Sequence, residues 1–177
     1  MRAFVTVPTT QDIEAKFTYR GRSKTETSLG SGAIRRQFGL KLRAQDPCNL
    51  VYAMWRFEPK AELVVSVKSN PSQHTSAECG NRGYENVKPT RYLHVPPMSP
   101  GSTHKLRAGM DGEHLQVSAD DNLVWEGLVG SLAMSFYGPV GIRSDNVKLE
   151  FELRAGQSGD MRPDHQLACK PGSGESE

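Results

Sequence analysis

The sequence has little of what identifies membrane-spanning or nucleic-acid-binding proteins. No apolar run approaches the roughly 20 residues that a helix needs to span a bilayer, and the mean hydropathy is −0.56. The 22 basic residues are nearly balanced by 20 acidic ones, which leaves a formal net charge of only +2. Such a balance provides no electrostatic footprint for a polyanion. We therefore expect a soluble protein whose partner is neither nucleic acid nor a membrane.

Cysteine is equally scarce. The chain has three cysteines, Cys48, Cys79 and Cys169, and an odd, low count argues against a secreted scaffold built on disulfides. Cys48 and Cys79 both fall at predicted strand ends or loops, so a bond between them stays an alternative. Free thiols in a reducing compartment are the favoured interpretation. The first eight residues contain one basic residue and no apolar leader segment, so we expect a cytoplasmic protein.

The sequence also lacks helical patterns. Proline and glycine interrupt every window in which apolar residues would form a helical stripe, apart from a single turn at 130–134. The chain instead alternates apolar and polar residues, which is the pattern of half-buried antiparallel strands. About eight to ten such strands, separated by turn residues, are typical of an all-β sandwich or barrel. The predicted strands cover 1–8, 12–20, 36–43, 49–57, 61–68, 104–110, 115–119, 123–126, 140–142 and 147–153.

Two segments lack this alternation. The stretch 69–100 shows only a short candidate strand at 92–95, and so long an irregular stretch inside a compact domain is usually functional or disordered. The end of the chain, 155–177, is dominated by glycine, serine, proline and acidic residues. We predict a disordered tail there, behind a single domain at 1–154.

Turn residues fix the strand connections between 103 and 153. Asp111-Gly112 predicts a two-residue hairpin turn in which both central positions have positive φ. The run 120–122, Asp-Asp-Asn, predicts the next turn, because these side chains tolerate positive φ. The same carboxylates offer hard oxygen ligands, so calcium is the alternative interpretation of this run. We expect no other cofactor.

The predicted strand 49–57 is apolar on both faces, which indicates a covered central strand or one that lines a groove. Aromatic and basic side chains lie on the face opposite the core, here and on the neighbouring strands. Sugar recognition uses such groups, because a ring packs on the apolar side of a pyranose and guanidinium groups donate to hydroxyls. Residues of the irregular stretch would close one end of the groove. The predicted ligand-binding residues are Arg43, Tyr52, Arg56, Lys68, Asn81, Arg82 and Tyr84.

Other chemistries find less support in the sequence. Glu150 and Glu152 share one face of a strand, but Lys148 lies beside them, as on a solvated surface. His74, Glu78 and Cys79 are the only cluster with metal-ligand residue types, and a plain polar loop is the favoured interpretation. No G-x-S-x-G elbow is present, so we discount a Ser-His-Asp hydrolase. Trp55 and Trp125 fall on core-facing positions.

The strand order resembles that of a known superfamily. The stretches FGLKLRAQDPCNLVYAMWRF, HKLRAGMDGEHLQVSADDNLVWEG and GPVGIRSDNVKLEFEL are similar to strand pairs of concanavalin A-like jelly-roll domains. The resemblance covers about 12–153 and consists of turn and core motifs. It implies two packed antiparallel sheets of curved strands, with binding on the concave face or on rim loops. Laminin-G-like modules, lectins and glucanases share this fold.

The glucanase branch of the superfamily carries a Glu-x-Asp-x-(x)-Glu strand. The nearest match, Glu150-Phe-Glu152, lacks the aspartate and the third carboxylate, so the resemblance implies no catalytic residues here. We predict a non-catalytic carbohydrate-binding domain with a glycan as its partner. A laminin-G-like protein-interaction or assembly module is the alternative, and a sugar-processing hydrolase is the third candidate.

Overall fold

The described part of the chain folds into two six-stranded antiparallel sheets packed face to face. The computed structural model describes residues 2–4 and 11–156, which contain the following elements. The strands are β1 (Arg2–Phe4), β2 (Asp12–Arg22), β3 (Arg36–Asp46), β4 (Asn49–Glu58), β5 (Glu62–Lys68), β6 (Tyr84–Asn86), β7 (Arg91–Tyr92), β8 (Thr103–Asp111), β9 (His114–Ala119), β10 (Asn122–Leu128), β11 (Gly141–Asp145) and β12 (Val147–Ala155), with one-turn helices α1 (Ser76–Cys79) and α2 (Ser131–Met134).

The strands are divided between a front sheet and a back sheet. The front sheet has the order β1-β11-β3-β4-β5-β6, and the back sheet has the order β12-β2-β8-β9-β10-β7. This architecture confirms the predicted two-sheet antiparallel sandwich. None of the helices in the described residues is long and apolar enough to cross a membrane.

Alternating apolar side chains fill the space between the sheets. Trp55 on β4 and Trp125 on β10 are fully buried, which confirms the core positions predicted for both tryptophans. The Phe17 ring on β2 packs against Phe38 on β3, with 4.6 Å between ring centroids. Removal of this apolar surface from water is the main force that holds one sheet against the other.

The two predicted hairpins both form, but the first uses a different turn. Asp111 pairs with His114 in the register of β8 and β9, so the central residues are Gly112 and Glu113. Only Gly112 of these has positive φ, the pattern of a type II′ turn rather than the predicted turn centred on Asp111-Gly112. Asp120 and Asp121 have φ of 50° and 65°, which confirms the predicted turn between β9 and β10.

The irregular stretch 69–100 contains more structure than the sequence indicates. It includes α1, the edge strands β6 and β7, and a capping box in which the Thr75 and Glu78 side chains satisfy backbone N–H groups. β6 pairs with β5 of the front sheet, and β7 pairs with β10 of the back sheet. The candidate strand 92–95 matches β7 only at Tyr92, and nothing in the sequence predicts the short, exposed β6.

A disulfide joins Cys48 to Cys79, so the prediction of free thiols is wrong for these two residues. Cys48 immediately precedes β4 and Cys79 ends α1, which places the bond between the front sheet and the irregular stretch. Residues 31 positions apart meet only through the tertiary fold, and for that reason the sequence left the pairing open.

The chain ends of the described part bear on two further predictions. Of the predicted first strand, 1–8, the structure describes β1, which pairs with β11 at the edge of the front sheet. β12 extends to Ala155, one residue beyond the predicted domain end. The rest of the predicted tail, 157–177, lies outside the described residues.

Candidate functional site

The outer face of the front sheet is concave. Arg143 on β11 and Tyr84 on β6 lie on strands separated by three others, yet Arg143 Nη1 donates to the Tyr84 hydroxyl at 3.2 Å. Two side chains bridge that distance only if the sheet curves strongly between them. We call this surface the concave face, and it carries the side chains that point away from the core on β11, β3, β4, β5 and β6.

Aromatic and basic side chains stack on one another across the concave face. The Tyr84 and Tyr52 rings are stacked, with 5.9 Å between centroids. The Arg143 guanidinium lies 5.4 Å from the centre of the Tyr52 ring, and Lys68 Nζ lies 5.1 Å from that of Tyr84. The stack buries Tyr52, which is 3% exposed, while Tyr84 remains 39% exposed. A ligand on this face would therefore meet Tyr84.

Gly39 makes room for this stack on β3. It lies opposite Arg143 on one side and Met54 on the other, and a Cβ atom at this position would lie 2.7 Å from the Met54 Cα atom. Burial disfavours the charge on Arg143, but Asp145 and the phenol groups of Tyr52 and Tyr84 outweigh it and raise the pKa of Arg143. Arg143 is therefore a permanent cation within the concave face.

A second group of charges lies where β3 begins and β4 ends. Arg56 donates to Glu62 on the adjacent strand, while Asp145 accepts from Arg143 Nε at 2.9 Å and from Gln37 Nε2 at 2.6 Å. Arg35 is half-buried just before β3. Burial lowers the pKa of Arg35 first, and repulsion from Arg56 and Arg143 lowers it further, against the attraction of Glu62 and Asp145.

The opposite end of the concave face is closed by the α1 segment, residues 70–82. Lys68 is buried and donates from Nζ to the carbonyl oxygens of Pro47 at 3.1 Å and Gly80 at 2.8 Å. Asn70 Nδ2 donates to the carbonyl oxygens of Cys48 and Arg82 at 3.2 and 3.0 Å. Lys68 thus anchors this segment. Tyr84 lies opposite Lys68 in the register of β5 and β6, and its hydroxyl reaches Arg143 near the middle of the concave face. Arg56 and Glu62 pair at the other end of the face.

The structure brings four of the seven predicted ligand-binding residues to the concave face: Tyr52, Arg56, Lys68 and Tyr84. Tyr84 is the most exposed of these. Two residues that the prediction omitted join them: Asn86, which pairs with Ser66 and is exposed, and Arg35. Arg143 was omitted as well, although the alternation of Gly141, Arg143 and Asp145 along β11 was a signal for it.

The other three predicted residues lie elsewhere. Arg43 has a φ of 48°, at a break in the register between β3 and β4, and this bulge ends the alternation on which the prediction depended. Its guanidinium donates to the carbonyl oxygens of Ala133 and Met134 at 3.0 and 2.7 Å. Arg82 donates to carbonyl oxygens at the end of α1. Asn81 lies against Gly30 at the rim.

The outer face of the back sheet offers a depression of about 390 Å³ beside His104 and the Asp120-Asp121 turn. Its charges neutralise one another: Lys105 Nζ lies 2.6 Å from Asp121 Oδ1, and the Lys105 N–H donates to Asp120 Oδ1 at 2.8 Å. Among the described residues no group of three or more His, Cys, Asp or Glu side chains could hold a metal ion. The carboxylates of the calcium alternative are thus engaged by His104 and Lys105 of β8.

A hydrogen-bonded chain joins Ser102, His104 and Asp120, although the sequence led us to discount a Ser-His-Asp hydrolase. His104 Nδ1 lies 2.7 Å from Asp120 Oδ2, and its Nε2 lies 3.0 Å from Ser102 Oγ. The Ser102 hydroxyl also donates to the Ser99 carbonyl at 2.7 Å, and the imidazole packs edge-on against Trp55. A hydroxyl that donates to a backbone carbonyl is not activated by the imidazole, so we interpret this chain as structural.

The remaining clusters named in the sequence are also structural. Glu150 accepts from Arg20 at 2.6 Å on the exposed back sheet, in agreement with a solvated face. His74 Nδ1 lies 2.9 Å from Asp46 Oδ2, Glu78 caps α1 and Cys79 is in the disulfide. The three residues of the metal alternative therefore have separate partners.

Comparison with known proteins identifies the fold. No family model and no curated protein matches the chain. Among solved structures, the carbohydrate-binding module CBM66 from Bacillus subtilis matches with a TM-score of 0.58 and 14% identity, over 85% of this chain and 77% of that one. A tetrameric galectin from the ball sponge Cinachyrella sp. matches with a TM-score of 0.53 and 12% identity, over 86% and 96%.

Congerin II with lactose and MES bound has a TM-score of 0.53 and 10% identity to this chain, over 88% of this chain and all of that one. These structures are lectin folds of the concanavalin A-like jelly-roll type. Identities this low indicate a common fold but do not indicate a common ligand. The chain therefore has the concanavalin A-like jelly-roll fold.

Proposed function

We propose that this protein is a carbohydrate-binding domain that holds a glycan on its concave face, between Tyr84 and Arg56. The binding residues are Arg35, Arg56, Glu62, Tyr84 and Asn86, which we call the concave-face site. The single observation that carries the proposal is the Tyr84 ring, held by Tyr52 and Arg143 but still 39% exposed.

Four residues of the concave-face site have a direct chemical role in this proposal. The Tyr84 ring provides an apolar platform for one face of a pyranose or furanose ring. The Asn86 amide donates and accepts, and Arg56 donates in a fork, so that both match sugar hydroxyls. Glu62 accepts from Arg56 and orients it. The stack beneath Tyr84 fixes the ring before the ligand arrives, which reduces the entropy lost on binding.

The fold comparison supports the same proposal. A carbohydrate-binding module and galectins share the fold, and one of the matched structures contains lactose. The concave face is also the surface that the sequence resemblance implied.

A glycan array probed with the intact protein tests the proposal. We expect binding to at least one glycan class, and we expect Tyr84→Ala to weaken it about tenfold, because a lost sugar–ring contact costs on the order of 1.4 kcal/mol. Tyr92→Ala is the matched control, since Tyr92 is 36% exposed on the back sheet. Its affinity should stay within about twofold of the parent.

Two results would contradict the proposal. One is binding to no glycan class, and the other is an equal loss of glycan affinity in Tyr84→Ala and Tyr92→Ala. If no glycan binds and the protein elutes as a dimer or captures a protein partner, the protein-interaction module is favoured instead.

A further inference from the structure

The charges of the concave face are unequal, although those of the whole chain nearly cancel. Three cations and two carboxylates lie at the end of the face that holds Arg56. The cations are Arg35, Arg56 and Arg143, and the carboxylates are Glu62 and Asp145. Over the whole sequence the ratio is 22 to 20. An excess positive charge therefore lies beside the place where the glycan is proposed to bind.

Both carboxylates are already engaged by other groups. Glu62 is bound by Arg56, and Asp145 is bound by Arg143 and by Gln37. In the part of the chain that the structure describes, no carboxylate is left to pair with the Arg35 guanidinium, and Arg56 Nε is buried without an acceptor. A guanidinium without a carboxylate partner favours a ligand that brings acceptor oxygens.

The backbone at Arg35 is held in place by its neighbours. Its carbonyl oxygen accepts from Asn146 Nδ2 at 3.0 Å, and Arg36 beside it is fixed by Glu26 and Glu58. The Arg35 backbone therefore stays beside the site, while Arg56 and Arg143 repel its guanidinium. An anionic ligand would relieve that repulsion, whereas a neutral ligand would not.

We propose that the concave-face site binds a sugar that carries an anionic group, a carboxylate or a sulfate, and that Arg35 and Arg56 hold that group. This inference rests on the proposed function, because it assumes that the ligand is a glycan on the concave face. Guanidinium forks bind carboxylate and sulfate oxygens in the same way. Uronic acids and sulfated sugars are therefore the two sources to be compared.

Matched pairs of sugars separate the anionic group from the rest of the ligand. Oligogalacturonate is compared with its methyl ester, which removes the carboxylate charge, and a chondroitin sulfate oligosaccharide is compared with its unsulfated form. Lactose serves as the neutral probe. Titration calorimetry with the full chain at an ionic strength of about 0.15 M suppresses long-range attraction. We expect the charged member of at least one pair to bind tenfold or more tightly than its counterpart.

Substitutions at Arg35 test whether this residue holds the anionic group. Arg35→Gln should abolish the preference for the charged member, with an affinity loss of about tenfold or more and an unchanged melting temperature. Arg35→Lys keeps the charge but not the fork, so it should recover part of the preference. Arg154→Gln removes an exposed arginine from the back sheet and should change the affinity less than about twofold.

The outcomes distinguish this inference from the proposed function. Binding of neutral and charged members with equal affinity, weakened by Tyr84→Ala, overturns the inference and keeps the proposed function. Binding of no sugar at all overturns both. Equal losses in Arg35→Gln and Arg154→Gln show attraction by overall charge and also overturn the inference.

Discussion

At the scale of single residues, Asp46 is the most heavily hydrogen-bonded carboxylate at the closed end of the concave face. It accepts from the Cys48 N–H at 2.8 Å, from Asn49 Nδ2 at 3.0 Å and from His74 Nδ1 at 2.9 Å. Burial raises the pKa of Asp46, but these hydrogen bonds outweigh burial and lower the pKa below its ordinary value. The ionised form is thus more stable in the folded protein than in the unfolded chain.

This arrangement predicts how Asp46 contributes to stability as the pH changes. Because the folded pKa is depressed, the contribution is present above the unfolded pKa of about 4 and is lost as the pH falls through the folded pKa. Asp46→Asn should lower the free energy of unfolding by about 1–3 kcal/mol at neutral pH. The difference from the parent should shrink as the pH falls below about 4. Urea unfolding of the parent and of Asp46→Asn, at neutral pH and at pH values below about 4, measures this difference.

An exposed carboxylate provides the control for this experiment. Asp111 lies at the β8–β9 hairpin, and Asp111→Asn should leave the unfolding free energy within about 0.5 kcal/mol at every pH. A difference between parent and Asp46→Asn that stays constant down to acid pH would contradict the role assigned to the Asp46 charge.

At the scale of elements, the α1 segment depends on its link to β4. The disulfide and the hydrogen bonds of Lys68 and Asn70 join it to the front sheet, whereas α1 itself is a single exposed turn. A helix of this length has no stability of its own in water. The segment therefore keeps its position because it is tied at several points.

Removal of the disulfide should accordingly destabilise the protein. The double variant Cys48→Ala, Cys79→Ala should lose about 3–4 kcal/mol of unfolding free energy, the value expected for a crosslink that closes a loop of this length. Cys169→Ala is the control and should be neutral. Thiol titration in denaturant should find one reactive group before reduction and three after it.

Three reactive thiols without reduction would contradict the disulfide. A double variant that is as stable as Cys169→Ala would show that the hydrogen bonds alone hold the α1 segment. The thiol titration and the stability measurement both use the full chain and need no ligand.

The elements also show what could be predicted from sequence and what could not. Strands such as β2 and β12 were predictable because alternation with period two is a local property of their residues. The bulge at Arg43 was not predictable, because nothing in the residues themselves marks a positive φ at an arginine. β6 was missed, and β7 overlaps the candidate strand 92–95 only at Tyr92, because edge strands of two or three exposed residues form through their neighbours rather than through their own pattern.

The residues of the candidate site also differ in whether the sequence could predict them. Tyr52, Arg56 and Tyr84 were found because they lie on predicted strands or in a stretch of unusual composition. Arg35 was missed because it belongs to a loop, and its role depends on charges contributed by β4, β5 and β11. Such neighbours are set by the strand order of the sheet, which single-strand patterns do not encode.

At the scale of the whole molecule, β12 completes the sandwich along one edge. It pairs with β2 from Val147 opposite Arg22 to Ala155 opposite Ile13. The side chains of β12 that face inward, among them Leu149, Phe151 and Leu153, pack against the main core. The described domain therefore needs this strand to cover the outer part of its core.

This requirement leads to a test of the domain end. We propose that residues 157–177 are not needed for folding, so a chain ending at Gly156 should keep its unfolding free energy within about 0.5 kcal/mol and its glycan affinity within twofold. A chain ending at Asn146 should not fold cooperatively, because it lacks the whole of β12. Circular dichroism during urea unfolding compares the two. If the chain ending at Gly156 is markedly less stable than the parent, residues beyond β12 belong to the domain and the single-domain boundary predicted near residue 154 is wrong.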